Sequence, residues 1–242
     1  MTADLRDTHA VVTGGSRGIG LAIAQTLASA GTRVSVVSRS PGAAAGAFFC
    51  AQADVMNEAQ LQAAFTACRD RYGPITILVN NAGLAESAPF KRTGRDMWDR
   101  VIGTNLTGTY LCTRMVYEEM RAANWGRIIN IASIAGLFGA PYIAAYCASK
   151  HGVVGFTRAL AAEIEGSGVT VNAICPGYTE TAMVENAVRN IVARTGLDET
   201  QARAQLAATN PGGRFVSVQE VAAQALELCL NGENGREIVL PQ

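Results

Sequence analysis

Short apolar runs alternate along the chain with longer segments in which apolar residues recur every three or four positions. The runs are rich in β-branched residues, which is typical of buried strands. Seven such strands are predicted, at residues 9–13, 33–38, 48–51, 75–79, 128–131, 169–174 and 237–240. The segments between them have helical period, and strands alternating with helices predict an α/β fold with one doubly wound, parallel, seven-stranded sheet.

Four segments of helical period are bounded by clear start or stop signals, at residues 21–31, 57–71, 143–165 and 217–230. Asn57 is predicted to cap the second of them, which ends before Gly73, and Gly31 ends the first. Residues 40–46 are too short for a helix and predict a turn between the second and third strands. We therefore interpret the whole chain, residues 1–242, as one domain.

Two further segments depart from this regular pattern. Residues 93–123 are amphipathic, but Asn105 lies in their middle, and asparagine is a poor interior helix former. We expect a local kink there, whose freed backbone group binds water. Residues 178–211 follow the end of the sixth strand and are polar and alanine-rich, so we interpret them as a substrate lid of one or two helices.

Composition narrows the class of protein. The 242 residues are 49% hydrophobic and 17% charged with a formal net charge of zero, which fits a large core and gives no support for nucleic-acid binding. The uncharged residues 128–149 are interrupted by glycine, proline and polar residues, so we do not interpret them as a membrane span. The amino-terminal residues resemble no export signal, and we expect a cytoplasmic protein. Six scattered cysteines and two histidines predict reduced thiols and no metal site.

A glycine-rich turn joins the first strand to the first helix. Gly14, Gly18 and Gly20 lie in it, and this context favours a turn whose backbone approaches a pyrophosphate at a helix start. Arg39 follows directly after the second strand, and Arg17 lies within the turn. Two guanidinium groups without a neighbouring carboxylate favour a ribose 2′-phosphate, so NADP(H) is the predicted cofactor and NAD(H) the alternative.

The candidate chemistry lies in residues 133–150. Tyr146 and Lys150 are four residues apart and share one face of a predicted helix. At about 4 Å and an effective dielectric of about 20, the ammonium would favour the phenolate by about 4 kcal/mol. We therefore expect Lys150 to lower the pKa of Tyr146 from about 10 toward the range of a general acid or base. Ser133 follows the fifth strand, where its hydroxyl can bind the oxygen that Tyr146 protonates.

These residues, in this order, resemble the single-domain short-chain dehydrogenases/reductases. The resemblance rests on residues 13–20, Asp54, residues 80–83 (Asn-Asn-Ala-Gly), Asn105, Ser133, Tyr146, Lys150 and residues 176–177. It implies a Rossmann-type fold and an oxidoreductase that transfers hydride between the nicotinamide of NADP(H) and a ketone or secondary alcohol. Residues 146–159 and 176–183 look most like ketoreductases, so a 3-oxoacyl thioester of coenzyme A or a carrier protein is the expected substrate.

The resemblance also implies roles for single residues. Tyr146 would protonate the carbonyl oxygen, Lys150 would hold the nicotinamide ribose, Ser133 would orient the substrate, and Asn105 would hold a water in a proton relay. Together with the glycine turn and its arginines, the resemblance predicts these cofactor contacts: Gly14, Ser16, Arg17, Gly18, Ile19, Gly20, Arg39, Asp54, Val55, Asn81, Ala82, Gly83, Tyr146, Lys150, Pro176, Gly177, Thr179 and Thr181. The candidate substrate-pocket residues are Leu84, Ile134, Leu137, Tyr142, Tyr178 and Met183.

Alternatives remain open on the sequence alone. An NAD-dependent secondary-alcohol or 3-hydroxyacyl-CoA dehydrogenase would use the same residues. A dinucleotide-sensing module without turnover belongs to a different class, although a sensor has no need of the full set of four catalytic residues. The resemblance implies a small-molecule substrate and a homotetramer or homodimer formed through residues 93–123 and 143–165.

Overall fold

Seven parallel strands form one sheet in the computed structural model, which describes residues 3–241 apart from the side chain of Met183. The strands are β1 (His9–Thr13), β2 (Arg33–Ser38), β3 (Phe49–Gln52), β4 (Ile77–Asn80), β5 (Gly126–Ile131), β6 (Val169–Pro176) and β7 (Glu237–Leu240). Their order across the sheet is β3-β2-β1-β4-β5-β6-β7. The prediction of a doubly wound, parallel, seven-stranded sheet is therefore confirmed.

Eight α-helices are present in the described residues. They are α1 (Gly18–Ser29), α2 (Glu58–Tyr72), α3 (Arg95–Ile102), α4 (Gly108–Ala122), α5 (Ala144–Glu163), α6 (Ala182–Thr195), α7 (Glu199–Ala207) and α8 (Val218–Asn231). Five of them, α1, α2, α4, α5 and α8, supply the cores against the sheet. One core lies between the sheet and helices α1 and α8, where Ile23, Leu27 and Leu228 are fully buried. The other lies under α2, α4 and α5 and contains Phe65, Val116 and Ile164.

The chain changes winding direction at β1, which pairs with β2 on one side and β4 on the other. Val12 is in register with Val36 and also with Val79. In parallel sheets a crevice opens at the carboxyl ends of two such strands, because their connections leave to opposite faces. The fold therefore brings together the residues that follow β1 and β4.

A one-turn 3₁₀ helix, Gly42–Ala44, joins β2 to β3 in place of the usual crossover helix. The prediction of a turn here is confirmed. The amide of Ala43 donates a hydrogen bond to the carbonyl of Ser16 at 3.1 Å, so this connection packs against the glycine turn.

The predicted kink in residues 93–123 is also confirmed, as a π-helical turn over Gly103–Thr107 between α3 and α4. Asn105 lies at the centre of this turn and is 1% exposed. A π-turn inserts one extra residue into the helical ladder, which redirects the side chains on either side of it. The segment is therefore two helices whose junction places Asn105 toward the sheet.

Residues 178–211 form the two helices α6 and α7 as expected, with α7 started by a capping box of Asp198 and Gln201. Several predicted boundaries differ by two or three residues; β6, for example, extends to Pro176 because its last residues pair with β7. Among the helices that the structure describes, none is both long enough and apolar enough to cross a lipid bilayer.

Candidate active site

Ser133 lies at the carboxyl edge of the sheet, two residues after β5 ends. Its Oγ accepts a hydrogen bond from the amide of Ala135 at 3.1 Å, which starts the short 3₁₀ turn Ile134–Gly136. The residue is 9% exposed. Its hydroxyl also lies close enough to the phenol of Tyr146 to lower the pKa of that phenol. The structure thus brings Ser133 and Tyr146 together.

Tyr146 and Lys150 occupy successive turns of α5, as predicted. The Lys150 Nζ lies 5.8 Å from the centroid of the Tyr146 ring and donates a hydrogen bond to the carbonyl of Ile131 at 2.7 Å. Lys150 is 5% exposed. The end of β5 therefore positions two groups of the site, because it holds the ammonium through Ile131 and carries Ser133 two residues later.

The predicted lowering of the Tyr146 pKa by Lys150 is wrong in this structure. Burial dominates and raises the pKa of Tyr146 to about 12, and it lowers the pKa of Lys150 to about 8. Desolvation penalises the charged form of each group, and a carbonyl rather than the phenol accepts the ammonium proton. Tyr146 is therefore a neutral phenol at pH 7, which is the form that can give a proton to a carbonyl oxygen.

Asn105 links the catalytic helix to the loop after β4. Its Oδ1 accepts from the amide of Leu84 at 2.9 Å, and its Nδ2 donates to the Leu84 carbonyl at 2.9 Å and to Ser149 Oγ at 3.0 Å. Ser149 in turn donates to the Tyr146 carbonyl at 2.7 Å. The backbone carbonyl of Asn105 accepts the hydroxyl of Thr109 at 2.8 Å. The part of Asn105 in a water relay stays a prediction.

Gly83 lies where these groups converge. A β-carbon built on Gly83 would lie 3.3 Å from Asn105 Oδ1 and 3.8 Å from Lys150 Nζ. The four predicted catalytic residues are therefore gathered at one edge of the sheet, with an exposed glycine backbone beside them.

The glycine turn packs directly on the residues that follow β4. Asn81 Nδ2 donates to the carbonyls of Thr13 and Gly14 at 3.0 and 3.1 Å. A β-carbon on Gly20 would lie 2.4 Å from this nitrogen, and one on Gly14 would lie 2.9 Å from Ala82 Cα. Only glycine permits such an approach, so these two glycines join the turn to the predicted cofactor floor.

Asn80 differs from its neighbour. It is 4% exposed, and its Nδ2 donates to Thr113 Oγ1 at 3.1 Å and to Asn130 Oδ1 at 2.9 Å. The adjacent side chains of a strand point to opposite faces, so Asn80 enters the core beneath α4 whereas Asn81 faces the glycine turn. The amide of Asn80 therefore lies away from the crevice, although Asn80 belongs to the motif of residues 80–83.

The amino terminus of α1 has the features of an anion site. Arg17 is its N-cap, and no side chain caps the first amides of the helix. A β-carbon on Gly18 would meet only Thr181, 3.5 Å away, whereas Ile19 packs against the core. Free amides at a helix start favour a phosphate group. The turn and the segment after β6 thus meet here.

The two arginines predicted to contact a 2′-phosphate are both exposed. Within residues 3–241, neither Arg17 nor Arg39 forms an ion pair. Gln52 Nε2 holds the Arg39 carbonyl at 2.9 Å. Asp54 accepts the Met56 amide at 2.9 Å, and Val55 is buried beneath Gly108. Contacts of Asp54 and Val55 with an adenine stay predictions.

The segment after β6 turns tightly between Pro176 and Thr181. The Thr179 hydroxyl donates to the Gly177 carbonyl at 3.1 Å, and the Thr181 hydroxyl donates to the Thr179 carbonyl at 3.1 Å. Pro176 is buried as the last residue of β6. Thr181 lies beside Gly18 of the glycine turn, and the role of both threonines in cofactor binding stays a prediction.

Some of the candidate pocket residues are exposed at the protein surface, and others pack against the core. Tyr142 and Tyr178 are 60% and 38% exposed, and Tyr142 has a φ of +70°, an unusual conformation for an aromatic residue. Leu137 packs against the core cluster of Ala132 and Val153. The side chain of Met183 lies outside the described part of the chain.

Three positions that connect parts of the site were not predicted. The Thr13 hydroxyl accepts the amides of Asn81 and Ala82, both at 3.1 Å. Ser149 joins Asn105 to α5, and Asn210 joins the two ends of residues 178–211. Each is a polar residue buried by tertiary contacts, and nothing in the sequence pattern assigns it this connecting role.

A family model described as short chain dehydrogenase matches residues 8–191 of this chain. The chain belongs to the short-chain dehydrogenase family. The resemblance drawn from the motifs is therefore confirmed, and the protein is an oxidoreductase of this family.

Two kinds of named protein are among the relatives of this short-chain dehydrogenase. It is 36% identical over 242 residues to a D-beta-hydroxybutyrate dehydrogenase of Rhizobium meliloti, covering 95% of this chain and 93% of that protein. It is 40% identical over 226 residues to the granaticin polyketide synthase putative ketoacyl reductase 1 of Streptomyces violaceoruber, covering 88% and 83%.

Solved structures agree with the fold of the short-chain dehydrogenase. A variant of the actinorhodin polyketide ketoreductase, solved with NADPH, has a TM-score of 0.91 at 34% identity, covering 99% of this chain and 97% of that one. Levodione reductase has a TM-score of 0.91 at 31% identity, covering 98% and 96%.

Proposed function

We propose that this short-chain dehydrogenase reduces a ketone to a secondary alcohol with NADPH, and that its substrate is a 3-oxoacyl thioester of coenzyme A or a carrier protein. The observation that carries the reaction is the grouping of Ser133, Tyr146 and Lys150 at one sheet edge beside Gly83. The likeness to ketoacyl reductases supports the substrate class.

The residues present fit a dinucleotide. The uncapped start of α1 offers amides to the pyrophosphate, and the open side of Gly18 leaves room for its approach. Arg17 and Arg39 are exposed cations that suit a 2′-phosphate, which favours NADPH over NADH. When bound, the reduced nicotinamide supplies the hydride.

The protein groups perform the proton transfer. Ser133 binds the substrate oxygen and holds it beside the Tyr146 phenol. As negative charge develops on that oxygen, the neutral Tyr146 donates its proton, and preorganised donors stabilise the charge. The Lys150 ammonium, held on the Ile131 carbonyl at 2.7 Å one helical turn from Tyr146, would hold the nicotinamide ribose beside the phenol.

A substitution of Tyr146 tests this assignment. Tyr146→Phe keeps the ring and removes the proton, so we expect no measurable turnover and an unchanged dissociation constant for NADPH. Turnover is followed by loss of NADPH absorbance, and binding by fluorescence titration. Activity comparable with that of the wild type would contradict the role of Tyr146.

The proposed substrate class is tested by measuring activity on a panel of compounds. Simple ketones, 3-oxoacyl thioesters and secondary alcohols are assayed with both dinucleotides, in both directions. We expect 3-oxoacyl thioesters with NADPH to give the highest kcat/KM. A preference for NAD and a free 3-hydroxy acid would support the alternative dehydrogenase, which the hydroxybutyrate dehydrogenase relatives favour. Binding without turnover on any substrate would support the sensing module.

Organisation and assembly are part of the proposal. Residues 1–242 act as one domain in the cytoplasm, with residues 178–211 as the substrate lid. Tyr110 of α4 is 44% exposed and meets Phe156 of α5 edge to face, and Trp98 of α3 is 39% exposed. These aromatic groups support a homodimer or homotetramer through α3, α4 and α5, which light scattering after gel filtration would test.

A further inference from the structure

One buried side chain fastens the two ends of the proposed lid to each other. The Oδ1 of Asn210 accepts the amide of Tyr178 at 2.7 Å, and its Nδ2 donates to the carbonyls of Tyr178 at 2.9 Å and Arg214 at 2.7 Å. Asn210 is 5% exposed. It therefore bonds the peptide groups on both sides of Tyr178, across 32 residues of chain.

Asparagine suits this position because its amide offers an acceptor and two donors in one plane. The chain makes room for it on both sides. A β-carbon on Gly177 would lie 2.4 Å from Asn210 Oδ1, so a larger residue there would displace the amide. After Asn210, Gly212 and Gly213 have φ of +73° and +66°, which turns the chain back so that the Arg214 carbonyl reaches the same side chain.

The fastening acts on the mouth of the active site through Tyr178. The Tyr178 ring is 38% exposed, and the segment that it begins reaches the glycine turn, since a β-carbon on Gly18 would lie 3.5 Å from Thr181. An ionised Tyr178 phenol would also raise the pKa of Tyr146. A short parallel bridge continues the contact, in which the Val216 amide donates to the Tyr178 carbonyl and the Glu180 amide to the Val216 carbonyl, both at 3.0 Å.

The helices beyond the fastening form a small unit of their own. Val184 and Val188 of α6 are buried against Ala202 and Leu206 of α7, and Arg203 pairs with Glu185 at 2.6 Å. This cluster is separate from the two cores that cover the sheet. The position of the pair α6–α7 relative to the sheet therefore depends strongly on how its ends are held.

We propose that Asn210 is a positioning residue of the reaction, which holds Tyr178 and the base of the lid in register with Tyr146 so that a bound ketone meets Ser133 and Tyr146 in one geometry. The inference rests on the proposed function and concerns substrate binding rather than the proton transfer itself. The hydrogen bonds of the Asn210 side chain go to backbone groups of Tyr178 and Arg214, so its loss should act mainly on KM.

The kinetic test compares two asparagines that each bond the backbone twice or more. In Asn210→Ala we expect KM for the best panel substrate to rise about tenfold, the size of one hydrogen bond lost to a buried partner, with kcat within about threefold of wild type. Asn234 is the matched control. Its side chain accepts the Val171 amide of β6 and donates to the Ala161 carbonyl of α5, both at 2.9 Å.

We expect Asn234→Ala to lower the melting temperature without changing KM. An equal KM for the two variants would show that Asn210 only stabilises the fold, and would overturn the proposal. If Asn210→Ala does not fold, Asn210→Asp has the same size and keeps the bond to the Tyr178 amide while losing the two donors. It should show the same rise of KM, and a wild-type KM would contradict the inference.

A second measurement does not depend on turnover. Arg189 and Arg194 are exposed tryptic sites on α6. We expect trypsin to cut them faster in Asn210→Ala than in wild type or Asn234→Ala, as followed by mass spectrometry with and without NADPH. If the wild-type protein reduces no carbonyl compound, the proposed function is wrong. The proteolysis experiment then still tests whether Asn210 holds the two ends of residues 178–211 together. Equal cleavage rates in all three proteins would show that Asn210 does not hold the lid.

The close approach of Gly177 gives an independent check. Gly177→Ala should raise KM about tenfold in the wild-type background, because its β-carbon would displace the amide. In the Asn210→Ala background there is no amide to displace, so Gly177→Ala should raise KM by less than about twofold. Equal effects in both backgrounds would show that the two positions are not coupled and would contradict the inference.

Discussion

The Thr13 hydroxyl offers a sharp test of how the glycine turn is held. It is 1% exposed and accepts the amides of Asn81 and Ala82, both at 3.1 Å. Thr13→Val keeps the shape of the side chain and removes both acceptor contacts. The end of β1 and the loop after β4 would then lose a shared anchor directly under the predicted pyrophosphate site.

The magnitude follows from the two amides that lose their partner. An unsatisfied buried amide costs about 1–3 kcal/mol, and since Asn81 and Ala82 are only partly buried we expect a total of about 2–3 kcal/mol. For a chain of this size each kcal/mol lowers the melting temperature by about 2–4 °C, so the melting temperature should fall by about 4–12 °C. The dissociation constant for NADPH should rise about tenfold, which corresponds to about 1.4 kcal/mol.

Differential scanning calorimetry and fluorescence titration measure the two effects. The matched control is Thr76→Val. Thr76 lies directly before β4, and its hydroxyl accepts the amide of His9, the first residue of β1, at 3.0 Å. It should lower the melting temperature and leave NADPH affinity unchanged. A wild-type dissociation constant in Thr13→Val, or an equal loss of affinity in Thr76→Val, would refute the reasoning.

Three other predictions concern charge. Because burial lowers the pKa of Lys150 to about 8, the ammonium is lost above that pH, and the rate of ketone reduction should fall as pH rises through about 8; a flat rate profile to pH 10 would contradict this. Burial lowers the pKa of His9, so the unfolded chain takes up that proton first and stability should fall as pH drops below about 6.5. His9→Gln should remove this part of the slope in melting curves, and an unchanged slope would count against it. Arg39→Asp should lower the ratio of NADP to NAD affinity measured by titration, and an unchanged ratio would exclude the 2′-phosphate interpretation.

Much of the fold could be predicted from the periodicity of apolar residues and from the residues that start and end helices and strands. Seven strands were found because buried parallel strands are continuous β-branched runs, and the short turn after β2 because residues 40–46 cannot form a helix. The poor helix propensity of Asn105 marked the π-turn correctly. Boundaries were less accurate, since the pairing of β6 with β7, and not local propensity, decides where β6 ends.

The chemistry of the site was predicted only in part. The spacing of Tyr146 and Lys150 placed them on one helix face, but the pKa argument assumed that the ammonium acts on the phenol through a screened medium. Burial reverses the expectation, because desolvation acts on each charge separately and depends on what packs above and below it. Such surroundings come from β5 and β6, which are distant in sequence.

The sequence by itself determined the order of strands and helices, the glycine turn and the identity of the reactive groups, because these depend on local periodicity and on residue type. Only the tertiary structure decided which amides face the crevice, which hydroxyls join separate loops and how Asn210 ties Tyr178 to Arg214. The physical reason is that hydrogen bonds and desolvation depend on distances between residues far apart in the chain, which the folding of the sheet sets.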